Sequence, residues 1–174
     1  MDDRKYNSFD YFKVTVDEDL CSQYMDGYES FGWVTDENIP TEKAGGKVTL
    51  HMKRSRSILN KTELTRLQRH YEACMNEISA LEASKRSVPT AVSLSFGLVG
   101  CAFMAGSVFA VTAEPPVIWL TVLLGVPGFL FWILSYFGYK EAGKRRTAKV
   151  EPLIEKKYDE AFEVCEKAQR LLGE

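Results

Sequence analysis

The stretch that decides the fold is residues 87–139, SVPTAVSLSFGLVGCAFMAGSVFAVTAEPPVIWLTVLLGVPGFLFWILSYFGY. It holds a single charged side chain, Glu114, although the whole chain has 22 Lys and Arg and 24 Asp and Glu. The mean hydropathy of −0.19 and the formal net charge of −2 are averages that describe neither this stretch nor the rest of the chain. An uncharged block within a highly charged sequence argues against a single soluble globule.

Two apolar runs lie within this block, residues 88–112 and 117–139, and we interpret them as transmembrane helices. Runs of these lengths form roughly 34–38 Å of helix, enough to cross a hydrocarbon core about 30 Å thick. A buried helix of a soluble protein is the alternative, and two adjacent uncharged runs argue against it. Residues 113–116 are too few for anything but a short external turn, so the spans form an antiparallel hairpin.

Basic residues flank both spans, whereas the turn contains none. They are Lys85, Arg86, Lys140, Lys144, Arg145, Arg146 and Lys149. The positive-inside rule predicts a multi-pass protein of the plasma (inner) membrane with both termini cytoplasmic. We expect each of these residues to contribute about 1 kcal/mol by contact with anionic lipid headgroups. The polar start of the chain, residues 1–5, predicts that no signal peptide is present.

Residues 1–58 are predicted to form a small cytoplasmic β-α-β-β module. Apolar and polar residues alternate in Tyr11–Val16 and again in Lys47–Lys53, which is typical of half-buried strands. Between them Leu20, Tyr24, Tyr28 and Phe31 give a helix its apolar face. The sequence thus predicts a membrane protein of the α+β class. It combines a two-span transmembrane hairpin, this module, and flanking cytoplasmic helices that are amphipathic or coiled-coil.

The flanking helices are predicted in residues 59–87 and 140–174. Asn60 and Glu63 have the spacing of a capping box, and Pro152 indicates a helix start or a kink. Apolar residues follow at alternating intervals of three and four, which is typical of a heptad seam. The seams are Leu64, Leu67, Tyr71, Cys74, Ile78 and Leu81, then Ile154, Tyr158, Ala161, Cys165, Ala168 and Leu172. Two arrangements stay open: an antiparallel coiled-coil stalk, or two amphipathic helices that cover the sheet module.

Small residues predict how the spans pack. In the first span a small residue occupies every fourth position, and such rows allow helix backbones to approach closely. This row is Ser93, Gly97, Cys101 and Ala105, and a second row is Ala102, Gly106 and Ala110. One row can pack within the hairpin and leave the other for a neighbouring subunit. Gly125 and Gly128, on either side of Pro127, are expected to kink or loosen the second span.

The sequence predicts no catalytic residue, metal site or cofactor. The four cysteines have no CxxC spacing, and His51 and His70 do not cluster with them in the sequence. Gly45-Gly46 is a turn and not a phosphate loop. The basic run Lys53–Arg56 gives little support to nucleic-acid binding.

Glu114 is the candidate functional residue of the turn. Its carboxylate suits the N-terminus of the second span, and in an oligomer a ring of such residues would concentrate cations at a pore mouth. The arrangement of the chain resembles that of subunits of the mitochondrial calcium uniporter family. In both, a helix and a span are followed by an acidic Glu-Pro turn, here Glu114-Pro115, and then by a second span and a second helix. That family's Trp-Asp pair is replaced here by residues such as Val111 and Thr112, so the resemblance is one of architecture.

We therefore expect a non-enzymatic membrane-anchored scaffold or regulatory interaction protein that self-associates through its helices. Its partners are predicted to be the lipid bilayer and either further copies of the chain or a membrane or cytoplasmic protein. The alternative is a subunit of a homo-oligomeric cation pore or transporter with Glu114 at the outer mouth. Against the pore, neither span contains an intramembrane charge of the kind that marks ion pathways.

Overall fold

The computed structural model describes residues 8–173 and combines helices with a small sheet, in agreement with the α+β class. The signal-peptide prediction rests on residues 1–5, which lie outside the described part. The elements are β1 (Phe9–Asp17), a 3-10 turn (Glu18–Leu20), α1 (Cys21–Glu29), β2 (Val34–Thr35), β3 (Glu42–Ala44), β4 (Lys47–Ser55), α2 (Lys61–Thr112) and α3 (Ile118–Gly173). They divide into unit 1, Met1–Asn76 with Lys157–Glu174, and unit 2, Glu77–Lys156.

The sheet of unit 1 is built on the antiparallel pair β1 and β4, which is in register from Phe9↔Ser55 to Asp17↔Lys47. β2 pairs with β4 on its other side, so the strand order is β1-β4-β2. Alternate residues of β4, among them Val48, Leu50 and Met52, are buried. The two-residue periodicity of the sequence therefore identifies the face that packs on the helices.

Strand β3 was not predicted. It pairs antiparallel with β4, and Gly45 and Gly46 form the turn between the two strands with positive φ values of 60° and 75°. All three residues of β3 are exposed, so the strand lacks the alternation of apolar and polar residues by which the longer strands were recognised. Its formation depends on pairing with β4 and not on burial.

Aromatic side chains join α1 to α2 in unit 1. Tyr28 and Phe31 are almost fully buried, and the ring of Tyr71 on α2 lies 6.0 Å and 5.6 Å from theirs between centroids. Gly27 makes this approach possible, because a Cβ atom there would overlap Oη and Cζ of Tyr71. The apolar face predicted for the first helix is thus its contact surface with α2.

Both long helices make side-chain hydrogen bonds with the N-terminal module of unit 1. Trp33 Nε1 donates a buried hydrogen bond of 2.8 Å to Gln68 Oε1. On α3, Gln169 Nε2 donates a hydrogen bond of 3.1 Å to Ser30 Oγ. Within unit 1 both helices therefore contact the module, a feature of the second arrangement, and they also contact each other through His70 and Glu160.

Both long helices run without a break through boundaries that the sequence suggested. α2 joins the segment 59–87 to the first apolar run and contains Pro89, and α3 contains Pro152, which therefore does not start a helix. An internal proline removes one backbone hydrogen bond, and the cooperativity of the long flanking segments outweighs that loss. The predicted capping box is wrong, because Asn60 has a φ of 55° and Glu63 pairs with Arg66 at 2.6 Å.

Unit 2 is a hairpin of the two helices. Its turn is closed by a backbone hydrogen bond of 3.0 Å from Val117 N to Ala110 O. The helices also pair outside the apolar runs, where Arg146 Nε donates to Ser84 Oγ at 3.1 Å. Both helices are long and apolar enough to cross a membrane, with a mean hydropathy of 2.0 in the most apolar window of each.

Candidate functional sites: an apolar hairpin and an acidic groove

Large hydrophobic side chains cover the outside of the hairpin. Phe109, Ile118 and Trp119 are 76%, 69% and 69% exposed. In the most apolar window of each helix, 17% and 6% of the residues are buried within the protein. Soluble monomers rarely expose contiguous apolar patches beyond a few hundred Å². This surface is therefore suited to an apolar environment.

Small residues line the inner seam at every seventh position of both helices. The three pairs are Ser93 with Ser135, Gly100 with Gly128, and Ser107 with Thr121. Ser135 Oγ donates to Ser93 O at 2.8 Å, and Ser107 Oγ donates to Thr121 O at 2.9 Å. A seven-residue interval keeps these residues facing the partner helix along the whole hairpin.

The two helices approach each other closely at Gly100. A Cβ atom there would lie 2.5 Å from Trp132 Cδ1, closer than real Cβ contacts allow, and 3.1 Å from Gly128 O, which is a tight contact. Phe103 stacks on Phe131 beside this point, with ring centroids 5.6 Å apart. The hairpin is thus held by backbone proximity and aromatic packing.

The residues predicted to pack the helices fall into two groups. Ser93, Gly125 and Gly128 lie in the seam. A Cβ atom at Gly125 would be 3.3 Å from Ser107 Oγ. Gly97 lies elsewhere, since a Cβ there would meet nothing within 4 Å among the described residues. Cys101 and Ala105 are exposed. The row from Ser93 to Ala105 therefore leaves the seam after its first member.

The predicted headgroup residues lie on the helices next to the apolar runs. Those that are exposed are Arg86, Lys140, Lys144, Arg145 and Lys149. Lys85 is half-buried and pairs with Glu82 at 2.8 Å, and Arg145 pairs with Glu141 at 2.7 Å. Surface pairs of this kind are weak, so the cations stay available to anionic groups.

Glu114 lies in the exposed turn between the helices, immediately before Pro115. It is not part of the seam, whose polar side chains are hydroxyl groups. A ring of such carboxylates requires several copies of the chain, so the pore-mouth role of Glu114 stays a prediction.

Unit 1 contains a groove of about 630 Å³ that sequence reasoning missed. It lies between α1, α2 and the last turns of α3, and its lining includes Gly27 and Met75. Tyr71, Tyr158 and Phe162 give it aromatic walls, and the last two stack with centroids 6.5 Å apart. The volume is within the range typical of small-ligand pockets.

Carboxylates lie around this groove. They are Asp19, Asp26 and Glu166, and the lining includes no basic side chain within the described residues. Glu166 also pairs with the exposed Arg170 at 2.6 Å. Inside the groove, burial raises the pKa of the Cys165 thiol, which keeps this side chain neutral. The groove therefore combines aromatic faces with negative charge, a combination that favours cations.

Tyrosine hydroxyl groups make hydrogen bonds between α1 and α2. Tyr71 Oη donates to Gln23 O at 3.2 Å, and Tyr28 Oη donates to Glu72 Oε1 at 3.2 Å. Burial raises the pKa of Tyr28 and of Tyr71 far above the ordinary value of 10.0, and the nearby Glu72 raises that of Tyr28 further. Both side chains are therefore neutral in the folded unit.

We expect unit 1 to lose stability in alkali above a pH of about 10. The unfolded chain loses the protons of Tyr28 and Tyr71 there, whereas the folded unit retains them, so deprotonation favours unfolding. Denaturant unfolding at increasing pH, with tyrosinate absorbance recorded in parallel, measures this. Tyr28→Phe should flatten the pH dependence. Complete ionisation of all tyrosines before unfolding would contradict the expectation.

The groove left no sequence signal, because its walls come from elements far apart in the chain. Gln23 and Tyr158, joined by a hydrogen bond of 3.4 Å, are 135 positions apart. The hairpin seam had a signal, since Ser93, Gly100 and Ser107 repeat at the same interval as Thr121, Gly128 and Ser135. The packing prediction instead followed the small residues at every fourth position of the first span, from Ser93 to Ala105.

Comparison with protein-family models, curated proteins and solved structures finds no match to this chain.

Proposed function

We propose that the protein is a non-enzymatic, membrane-anchored interaction protein, in which the hairpin spans the bilayer and unit 1 binds a protein partner. The observation that carries the proposal is the outward-facing apolar surface of the hairpin. Burying such surface in lipid is worth about 25 cal/mol per Å². The helical backbone satisfies its own hydrogen bonds, as a membrane interior requires.

The charges beside the hairpin support an orientation with both termini on the cytoplasmic side. Lys140, Lys144 and Lys149 are exposed just after the second apolar run, and the turn 113–116 has no basic residue. Cytoplasmic leaflets attract such cations. Unit 1 would then meet cytoplasmic partners.

Small residues of the first span that lie outside the seam support self-association. Gly97, Cys101 and Ala105 lie outside the seam and leave a shallow strip on the hairpin surface. Helices in lipid associate by close packing at such strips. We propose that a second copy of the hairpin packs there.

The groove of unit 1 supports a partner segment that carries a basic side chain. Asp19 and Asp26 provide negative charge at its edge, and Tyr158 and Phe162 provide faces on which a guanidinium group can stack. An arginine beside an apolar residue fits this lining better than an acidic or uncharged polar segment.

Binding of a short Leu-Arg-Leu-Arg peptide to the protein in zwitterionic nanodiscs tests this function. We expect binding that weakens with salt, and about a tenfold loss of affinity on Asp26→Lys, equivalent to about 1.4 kcal/mol. Fluorescence anisotropy with empty nanodiscs as the blank measures it. The matched control Glu163→Lys reverses a charge that is exposed and paired with Lys167, outside the groove lining.

Two results would contradict the groove assignment. One is equal loss of affinity in Asp26→Lys and Glu163→Lys, since only net charge would then matter. The other is equal binding of a Leu-Glu-Leu-Glu peptide, since the carboxylates would then not select the partner.

A further inference from the structure

Three side chains with metal-binding atoms meet between α2 and α3 in unit 1. They are His70, Cys74 and Glu160, whose ligand atoms all lie within 4.8 Å of one another. His70 Nε2 and Glu160 Oε1 are 2.9 Å apart, although the two residues are 90 positions apart in the sequence. The spacing of cysteines and histidines along the chain could not reveal this cluster.

We propose that these three residues form a zinc-binding site that ties α2 to α3. His70 and Cys74 are four residues apart on one helix, so their side chains lie on the same face. Zinc takes nitrogen and oxygen at about 2.0–2.2 Å and sulfur at about 2.3 Å, which places tetrahedral ligands roughly 3.3–3.6 Å apart. Shifts of about 1 Å in these side chains convert the observed cluster into that geometry.

The surroundings of the cluster fit a site with one open position. Cys74 is 1% exposed, whereas the side chains of His70 and Glu160 are 50% and 36% exposed. Solvent therefore reaches one side of the cluster and can supply a water molecule as the fourth ligand. Lys157 Nζ lies 2.9 Å from Glu160 Oε2, which orients the carboxylate and leaves Oε1 directed at His70.

The ligand types indicate which ion is bound. Thiolate and imidazole favour zinc over magnesium and calcium, which take oxygen ligands. The site goes beyond the proposed partner binding, because it links two helices and contains none of the groove carboxylates. A failure to bind the peptide would therefore leave the zinc proposal intact, and a failure to bind metal would leave the partner-binding proposal intact.

Titration of the detergent-purified protein with Co²⁺ tests the site, since a cobalt–thiolate bond gives a charge-transfer absorption band. We expect one equivalent to produce the band and Zn²⁺ to abolish it, with no effect of Mg²⁺ or Ca²⁺. Cys74→Ser should remove the band, and Cys165→Ser, a change in the half-buried cysteine that lines the groove of unit 1, should retain it. Circular dichroism checks that each variant is folded.

Two further variants keep the test decisive if Cys74→Ser fails to fold. His70→Gln changes an exposed side chain and Glu160→Gln a half-buried one, and each should weaken Co²⁺ binding at least tenfold. Absence of the band in the unmodified protein would overturn the proposal. So would a band that is lost on Cys165→Ser, or affinities unchanged by both His70→Gln and Glu160→Gln.

Discussion

Gly100→Val is expected to separate the two helices of the hairpin at a cost of about 1–3 kcal/mol. A Cβ atom at this position would lie 2.5 Å from Trp132 Cδ1 and 2.8 Å from Trp132 Nε1. It would also lie 3.1 Å from the backbone oxygen of Gly128, which cannot move without moving α3. Gly97→Val is the matched control, because a Cβ there meets nothing within 4 Å in the described chain.

Cysteine cross-linking across the seam measures this effect. Ser93 Oγ and Ser135 Oγ are 2.8 Å apart, so Ser93→Cys with Ser135→Cys should oxidise to an intramolecular disulfide in a Cys101→Ser background. Gly100→Val should lower the yield strongly, and Gly97→Val should not. For self-association we expect the opposite pattern in native mass spectrometry: Gly97→Val should favour the monomer, and Gly100→Val should not. Equal effects of both valines on cross-linking would contradict the seam.

Gly27→Ala is expected to destabilise unit 1 by about 1–3 kcal/mol, although alanine favours a helix over glycine by about 1 kcal/mol. The new methyl group would overlap Tyr71 at Oη and Cζ and lie 2.9 Å from Cε2. The tyrosine cannot turn away without losing its contacts with Tyr24, Tyr28 and Phe31. The overlap therefore costs more than the backbone gains.

A double-mutant cycle with Tyr71→Leu isolates this contact. In that background the overlap is gone, and Gly27→Ala should be neutral or stabilising in denaturant unfolding followed by circular dichroism. If Gly27→Ala were already neutral in the unmodified protein, the packing of α1 on α2 described above would be incorrect.

Much of the architecture could be predicted because burial imposes a period on the sequence. The alternation in Lys47–Lys53 identified β4, and the near absence of charge from residues 87–139, where Glu114 is the single exception, identified both apolar helix segments. Strand β3 has three exposed residues and no such period, so its pairing could not be predicted. The helix start that Pro152 suggested is wrong, because α3 passes through that residue and helix cooperativity over many turns outweighs a local signal.

The sites were harder to predict than the elements. A row of small residues shows that a helix can pack closely, but not against which neighbour. The sequence therefore predicted Gly97 as a packing residue, whereas Gly100 makes the contact with the second helix of the hairpin. The groove and the cluster of His70 with Glu160 depend on side chains brought together by tertiary packing. No spacing rule within one segment contains that information.

The most direct test of the membrane-anchored account is the sidedness of cysteine labelling in intact cells. An Ala113→Cys variant in the Cys101→Ser background carries a reporter in the turn, and the partly exposed Cys21 and Cys165 report on unit 1. Mass spectrometry after treatment with a membrane-impermeant maleimide identifies the modified residues. The account predicts labelling at position 113 in intact cells and at Cys21 and Cys165 only after permeabilisation. Labelling of Cys21 and Cys165 in intact cells, or release of the protein from membranes by alkaline carbonate, would contradict it.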